Sequence, residues 1–278
     1  MSINYNPPPQ IRSFLFICAL LRLTIHQVQS ALTVNSTTTN LTALVYDLFP
    51  VNTTATVSNI NFVGDSRCMG TFAGGLSVVP GLDPAFPDEG VVLSTGDIEN
   101  LPNQDSEAQT TNFGTPGDED LDNLLRNLDN LLDKNRTRDA CVLEFDFECN
   151  DAKPSDVFLN YVFGSEEYLE YTGSIHSDIF ALFLNDDNLA IVPNTAGTPI
   201  AVNSVNQDKN SEYFVSNEGI VCSYPGIEMG GFTQKLTTAI GSATAGTNTL
   251  KIVIVDVKDA YYDSWVLLEA GSITCKSD

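Results

Sequence analysis

The sequence predicts an all-β fold, mainly an antiparallel β-sandwich of jelly-roll type, with one or two short helices. Two observations carry that expectation. Short apolar runs of strand length recur along the chain, separated by turns rich in Gly, Pro, Asn and Asp. The runs also differ in burial. Ala140 to Cys149 alternates, with Cys141, Leu143, Phe145 and Phe147 opposite Val142, Glu144, Asp146 and Glu148, whereas Ile179 to Leu184 is apolar on both faces. An alternating run is a half-buried strand, and a run apolar on both faces belongs in the middle of a sandwich.

Taken in order, residues 1–30 read as a secretory signal, with Arg12 as the charge and Phe14 to Leu21 as an apolar run too short to span a bilayer. Val28-Gln-Ser30 offers a cleavage site before Ala31, with an uncleaved signal anchor as the alternative. Residues 31–40 are expected to be an exposed, glycosylatable segment, and 41–275 a single β domain. Leu41, Leu44, Val45 and Leu48 fall at helical spacing before Pro50, and Val57 to Val63 alternates as a strand. Gly64 to Gly75 reads as a turn and bulge region. Gly90 to Gly96 is a buried strand. Leu121, Leu124, Leu125, Leu128, Leu131 and Leu132 predict one amphipathic helix. Asn188 to Pro193, Pro199 to Val205, Leu250 to Val257 and Val266 to Ile273 supply further strands. Gly230 to Leu236 reads as a glycine-rich, mobile region between them.

Thirteen basic against 36 acidic residues give a net charge of −23. A nucleic-acid partner would need a basic footprint that is missing here. The balance favours cations, calcium above all, whose ligands are carboxylate and carbonyl oxygens. Four acceptor triplets begin at Asn35, Asn40, Asn52 and Asn135, as an exported glycoprotein would carry them. After cleavage five cysteines remain: Cys68, Cys141, Cys149, Cys222 and Cys275. An oxidising compartment would allow two bridges and leave one thiol. Cys141 and Cys149 share one face of one strand at a spacing too long to bridge, so each is expected to pair elsewhere. No later run is long enough for a transmembrane helix, so no integral span is expected after signal cleavage.

Two acidic, aromatic turns stand out between apolar strands. The first is Phe163-Gly-Ser-Glu-Glu-Tyr-Leu-Glu-Tyr171, followed by Ser177-Asp178; the second is Asp256-Val-Lys-Asp-Ala-Tyr-Tyr-Asp263 before Trp265. Turns on a rigid strand base are where binding groups tend to sit. Candidate calcium ligands are Glu166, Glu167, Asp178, Asp259 and Asp263, because carboxylates crowded on neighbouring turns repel one another until a divalent cation intervenes. Asp118 and Asp120 form a second candidate, against the simpler reading that they cap a helix. Tyr168, Tyr171, Tyr261 and Tyr262 would present flat faces to a partner, while Trp265 is expected in the core.

These blocks resemble the choice-of-anchor L family of exported surface domains. The matching segments are Gly70 to Gly75, Gly90 to Gly96, Asp118 to Leu121, Phe163 to Tyr168, Ser177 to Phe180, Phe183 to Asn185, Asn188 to Ala190, Gly231 to Thr233 and Tyr262 to Val266. The resemblance implies an extracellular β-rich domain, and it implies no established activity or ligand. With the sequence ending at Asp278 without a sorting tail, release or non-covalent retention is expected.

The leading expectation is a secreted or cell-surface, non-catalytic binding or adhesion module, stabilised by calcium and acting on a surface glycan or protein. One alternative is a polysaccharide hydrolase pairing Glu166 or Glu167 with Asp263, which two carboxyls at a fixed separation would permit. Adjacent glutamates on an extended strand point to opposite faces, so only one of them would serve. The other alternative is a passive cell-wall or matrix protein.

Overall fold

A computed structural model of the chain describes residues 31–36, 40–102, 111–128, 137–149, 155–218, 224–239 and 241–276. The expected leader at 1–30, the acceptor Asn135, Cys222 and the helix tail expected after Leu128 lie outside the described residues. In chain order the strands are β1 (Thr33–Asn35), β2 (Thr56–Val63), β3 (Met69–Ala73), β4 (Glu89–Ser94), β5 (Thr137–Glu148) and β6 (Ser155–Phe158). Next come β7 (Asn160–Ser165), β8 (Ile179–Leu184), β9 (Asp187–Asn188), β10 (Ile200–Ala201), β11 (Phe214–Ser216) and β12 (Gly231–Thr233). The last are β13 (Leu236–Thr237), β14 (Gly241–Ala243), β15 (Thr247–Val257), β16 (Ser264–Glu269) and β17 (Thr274–Lys276). Among the described residues three α-helices accompany them: α1 (Leu41–Asp47), α2 (Gly75–Val78) and α3 (Glu119–Leu128).

The strands form an antiparallel sandwich. One sheet runs β1-β3-β4-β16-β7-β12-β11, with β13 also on β7; the other runs β10-β8-β15-β5-β2, with β9 also on β8. A small third sheet runs β14-β6-β17. Between the two large sheets lies the main core, in which Val91, Leu93, Phe163, Val266 and Leu268 face Leu143, Phe145, Phe180, Leu182 and Ile254. Helix α1 closes this core with Leu44, Val45 and Leu48.

Both outer faces are covered, which explains why the central strands are apolar throughout. On the larger sheet Val92, Val162, Trp265 and Leu267 pack under Val78, Phe86, Ile98, Leu101 and Met229. On the other sheet, Ala181, Phe183, Val253 and Val255 pack beneath Leu121 of α3, with Leu124 and Leu125 beside them. Burying a strand on both faces removes the alternation that a half-solvated strand would show.

Among the described residues two disulfides tie the layers. Cys68, just before β3, is bonded to Cys141 in β5, joining the large sheets; Cys149, just after β5, is bonded to Cys275 in β17. Neither Cys141 nor Cys149 pairs with the other, as their spacing along β5 requires.

The structure corrects several expectations. Met69–Ala73, inside the supposed turn region, is a full strand, because Gly70 lets β3 lie against the backbone of β1: a Cβ there would fall 2.1 Å from the Asn35 carbonyl oxygen. Gly231–Thr233 is likewise a strand rather than a mobile segment, with Phe232 fully buried. Thr33–Asn35 is an edge strand and Leu32 is buried, so the domain begins before residue 41 and residues 31–40 are not uniformly an exposed segment. The acceptors Asn35, Asn40 and Asn52 are exposed, and Asn40 also caps α1, its Oδ1 accepting the Ala43 amide at 3.1 Å.

Candidate functional site

The topology places the two acidic turns side by side. The first leads from β7 to β8 and the second from β15 to β16, so each crosses from one large sheet to the other. Because β7 pairs antiparallel with β16 and β8 with β15, both crossings occur at the same end of the sandwich. The last rung of the β7–β16 ladder joins Ser165 to Ser264. Immediately beyond it, the Glu166 amide donates to the Asp263 carbonyl at 3.1 Å, and the Asp263 amide donates to Glu166 Oε2 at 3.0 Å.

The adjacent glutamates diverge, as an extended backbone dictates. Glu166 turns toward Asp263 and Glu228. Glu167 turns the other way, its Oε2 accepting the Asp178 amide at 3.1 Å. Asp178 in turn accepts from the Val257 amide at 3.0 Å and from the Ser264 hydroxyl at 2.7 Å, and its carboxyl meets that of Asp256. Asp263 accepts from the Thr111 amide at 3.0 Å. Its carboxyl sits on Gly96, where a Cβ would lie 1.8 Å from Oδ2, so this site demands glycine.

These acids are buried. Glu166 is 9% exposed and Asp263 1%, with Glu167, Asp178, Asp256 and Glu228 equally inaccessible. Among the described residues no Lys or Arg forms an ion pair with Glu166, Glu167, Asp178, Asp256 or Asp263. Burial disfavours the charged form of a carboxyl, and neighbouring carboxylates add to the effect. Burial, then the Glu228 and Asp263 carboxyls, push Glu166 up to about 11. Burial and the Asp178 charge push Glu167 up to about 10. Burial raises Asp178 and Asp263 to about 7 against the pull of their donors, and lifts Asp256 well above the usual carboxylate range. Glu166 Oε1, Asp256 Oδ1 and Asp263 Oδ2 are buried without a donor. Among the described residues, no three acidic, histidine or cysteine side chains converge closely enough to hold one ion as they stand.

Toward solvent the character changes. Asp259 is partly exposed and its carboxylate meets His176 Nδ1 at 2.8 Å. Tyr171 and Tyr262 pack ring against ring, centroids 4.9 Å apart, with Tyr171 also near the His176 ring. Tyr261 is 59% exposed. Tyr168, expected to face a partner, does not: it is 1% exposed, packs on Phe214 and donates its hydroxyl to the Val205 carbonyl at 2.6 Å. As expected, Trp265 is in the core.

Asp118 and Asp120 lie apart from this corner in their bonding. Asp118 Oδ1 accepts the Asp120 and Leu121 amides, capping α3, and Lys251 Nζ meets Asp118 at 2.7 Å and Asp120 at 2.5 Å. The lysine ammonium supplies their counter-charge, and the capping reading accounts for them.

The sequence reading did not nominate Asp256 or Glu228. Each stands inside an apolar stretch, Ile254-Val-Asp-Val257 and Ile227-Glu-Met229. A lone acid within a buried run was the available signal. Of the carboxyls considered for hydrolysis, Glu166 and Asp263 are bonded to each other through backbone and carboxyl, Glu167 turns toward Asp178, and all three are buried.

Fold and site together define an all-β, disulfide-linked domain with an acidic corner buried beneath an aromatic edge. The chain belongs to the choice-of-anchor L domain family, whose model matches residues 33–274. That membership points to an extracellular, surface-associated module, and the two disulfides are consistent with such a location. Among the described residues no helix is long and apolar enough to cross a membrane. Neither the curated proteins nor the solved structures gave a match to the chain.

Proposed function

We propose that this domain is a non-catalytic binding module of the extracellular surface that engages a surface glycan, with calcium as the counter-charge of its acidic corner. One observation carries the reading: a solvent-facing aromatic edge lies at the same end of the sandwich as the buried Glu166, Glu167, Asp178, Asp256 and Asp263, which form no ion pair with Lys or Arg among the described residues. Aromatic faces at a rigid strand end suit the apolar faces of sugar rings. The carboxyl layer suits a hard cation, since three of its buried oxygens lack a donor and oxygen is calcium's preferred ligand. Holding the ion would require Glu166, Asp263 and their neighbours to rotate toward a shared centre. Burial of these acids supports binding over turnover, because a general acid or base must reach its substrate.

The test uses a panel of cell-wall and matrix polysaccharides and the labelled, secreted domain. Saturable binding without shortening of the polymer, weakened at least threefold by Tyr261→Ala, is the expected result. Polymer shortening would establish an enzyme instead, and no binding to any member would favour a passive structural role.

A further inference from the structure

We infer that a small cleft beside the aromatic edge receives an anionic group, specifically the carboxylate of a uronic acid residue within a glycan. This rests on the binding-module reading and names the ligand class. The cleft, about 190 Å³, is lined by Arg138, Asp139, Lys258, Asp259 and Tyr261, with Asn112 at its side. Typical small-molecule pockets run from roughly 300 to 1,000 Å³, so this one suits a single sugar unit or its acid group, not a whole oligosaccharide.

The two acids of the cleft are already committed. Asp139 accepts the Phe113 amide at 2.9 Å, the Thr115 amide at 2.6 Å and the Thr115 hydroxyl at 3.1 Å. Asp259 is engaged by His176 and accepts the Tyr261 amide at 3.2 Å. The two cations are not committed: among the described residues Arg138 and Lys258 are exposed and join no ion pair, as is also true of Arg126 and Lys209, but Arg138 and Lys258 line one cleft together. Arg138 sits opposite Asp256 in the β5–β15 ladder, and Lys258 follows β15 directly in a left-handed turn, φ 85°. Both residues therefore sit at the same end of the paired central strands β5 and β15.

The cleft sets two cations beside two acids whose oxygens are already bonded, so the donors left for an incoming anion are those of Arg138 and Lys258. The planar guanidinium matches a carboxylate with two parallel hydrogen bonds, and an ammonium adds a point charge. Tyr261 offers a face for the ring that bears the acid. The acidic surface favours an isolated uronic acid over a densely charged polymer, because a polymer would bring its further charges against the carboxylates around the cleft.

The experiment titrates the full secreted domain, followed by NMR, with methyl β-D-glucuronoside, methyl β-D-glucoside and inorganic sulfate. The expected result is that the glucuronoside binds at least tenfold more tightly than the glucoside. Arg138→Gln and Lys258→Gln should each weaken it about tenfold without moving the thermal midpoint. Equal binding of the two sugars, or undiminished binding in both variants, would overturn the assignment. Sulfate binding in place of the glucuronoside would overturn the carboxylate and leave only a general anion site. Continued binding of the variants to a neutral polysaccharide would show that the broader binding reading stands even where this one fails.

Discussion

Glu166 and Asp263 close a ring across two turns that lie 97 positions apart in sequence. The Asp263 amide donates to Glu166 Oε2 at 3.0 Å while the Glu166 amide donates back to the Asp263 carbonyl at 3.1 Å. The ring locks the β7–β8 crossing to the β15–β16 crossing and carries two carboxyls into the interior. Replacing a carboxyl so buried by a group that cannot ionise should help the cation-free protein, which must otherwise take up a proton on folding, and harm the calcium-loaded one.

Glu166→Gln tests that opposition of signs. Glutamine keeps the shape and the carbonyl that accepts the Asp263 amide, and it cannot ionise. At pH 8 in EGTA the variant should be more stable than the parent, on the order of 1–3 kcal/mol, since one pH unit of displacement corresponds to about 1.4 kcal/mol. In excess calcium it should lose most of the calcium-induced rise in thermal midpoint. A variant less stable than the parent in EGTA would show that Glu166 is ionised and satisfied without a cation.

Gly96→Ala probes the floor beneath Asp263. The added Cβ would meet Asp263 Oδ2 at 1.8 Å and Cγ at 2.1 Å, so the buried carboxyl would have to leave its place and strain its bond to the Thr111 amide. Overpacking of this kind costs about 1–3 kcal/mol. Denaturant unfolding should show a loss of that size, and the double variant Gly96→Ala with Asp263→Ala should recover part of it. Non-recovery would mean that the glycine serves its backbone alone.

Asp120→Asn separates the two acidic sites. Asp120 is 57% exposed and shares Lys251 with Asp118, so its ion pair is worth less than about 1 kcal/mol. The substitution should barely change the midpoint and should leave the calcium response intact. A lost response would place the ion at the start of α3 instead of the corner.

What was legible in the sequence follows from geometry that is local. Ala140 to Cys149 announced β5 through period-two alternation, and the apolar run at Ile179 to Leu184 announced β8 through its two-sided burial. The neighbourhood of the two acidic turns was not legible directly, yet both were singled out, because acids and aromatics between apolar strands are a compositional contrast. What escaped depended on tertiary approach. Gly231 reads as a flexible residue, but its missing side chain lets β12 pass the Phe214 ring, 2.6 Å from where a Cβ would stand. Tyr168 reads as a surface aromatic, and only the fold shows that Phe214 and the Val205 carbonyl enclose it. Leu159 alone divides β6 in the small sheet from β7 in the large one, a change of sheet that no local pattern marks. Asp256 heads the second acidic turn in the sequence, and only the fold shows that it is buried with its carboxyl against that of Asp178.

The central claim is that the buried carboxyls need either protons or a divalent cation, and one measurement addresses it: the thermal midpoint from pH 5 to 8.5, in EGTA and in excess calcium. Each raised carboxyl binds its proton more tightly folded than unfolded. Its contribution is therefore complete below the unfolded value near pH 4 and is lost as pH rises through the folded values, about 7 for Asp178 and Asp263 and about 10 and 11 for Glu167 and Glu166. The account predicts a midpoint in EGTA that falls steadily across this range, and a calcium-induced rise that is small at pH 5 and largest at pH 8.5. A midpoint that stays level with pH and does not respond to calcium at pH 8.5 would contradict it.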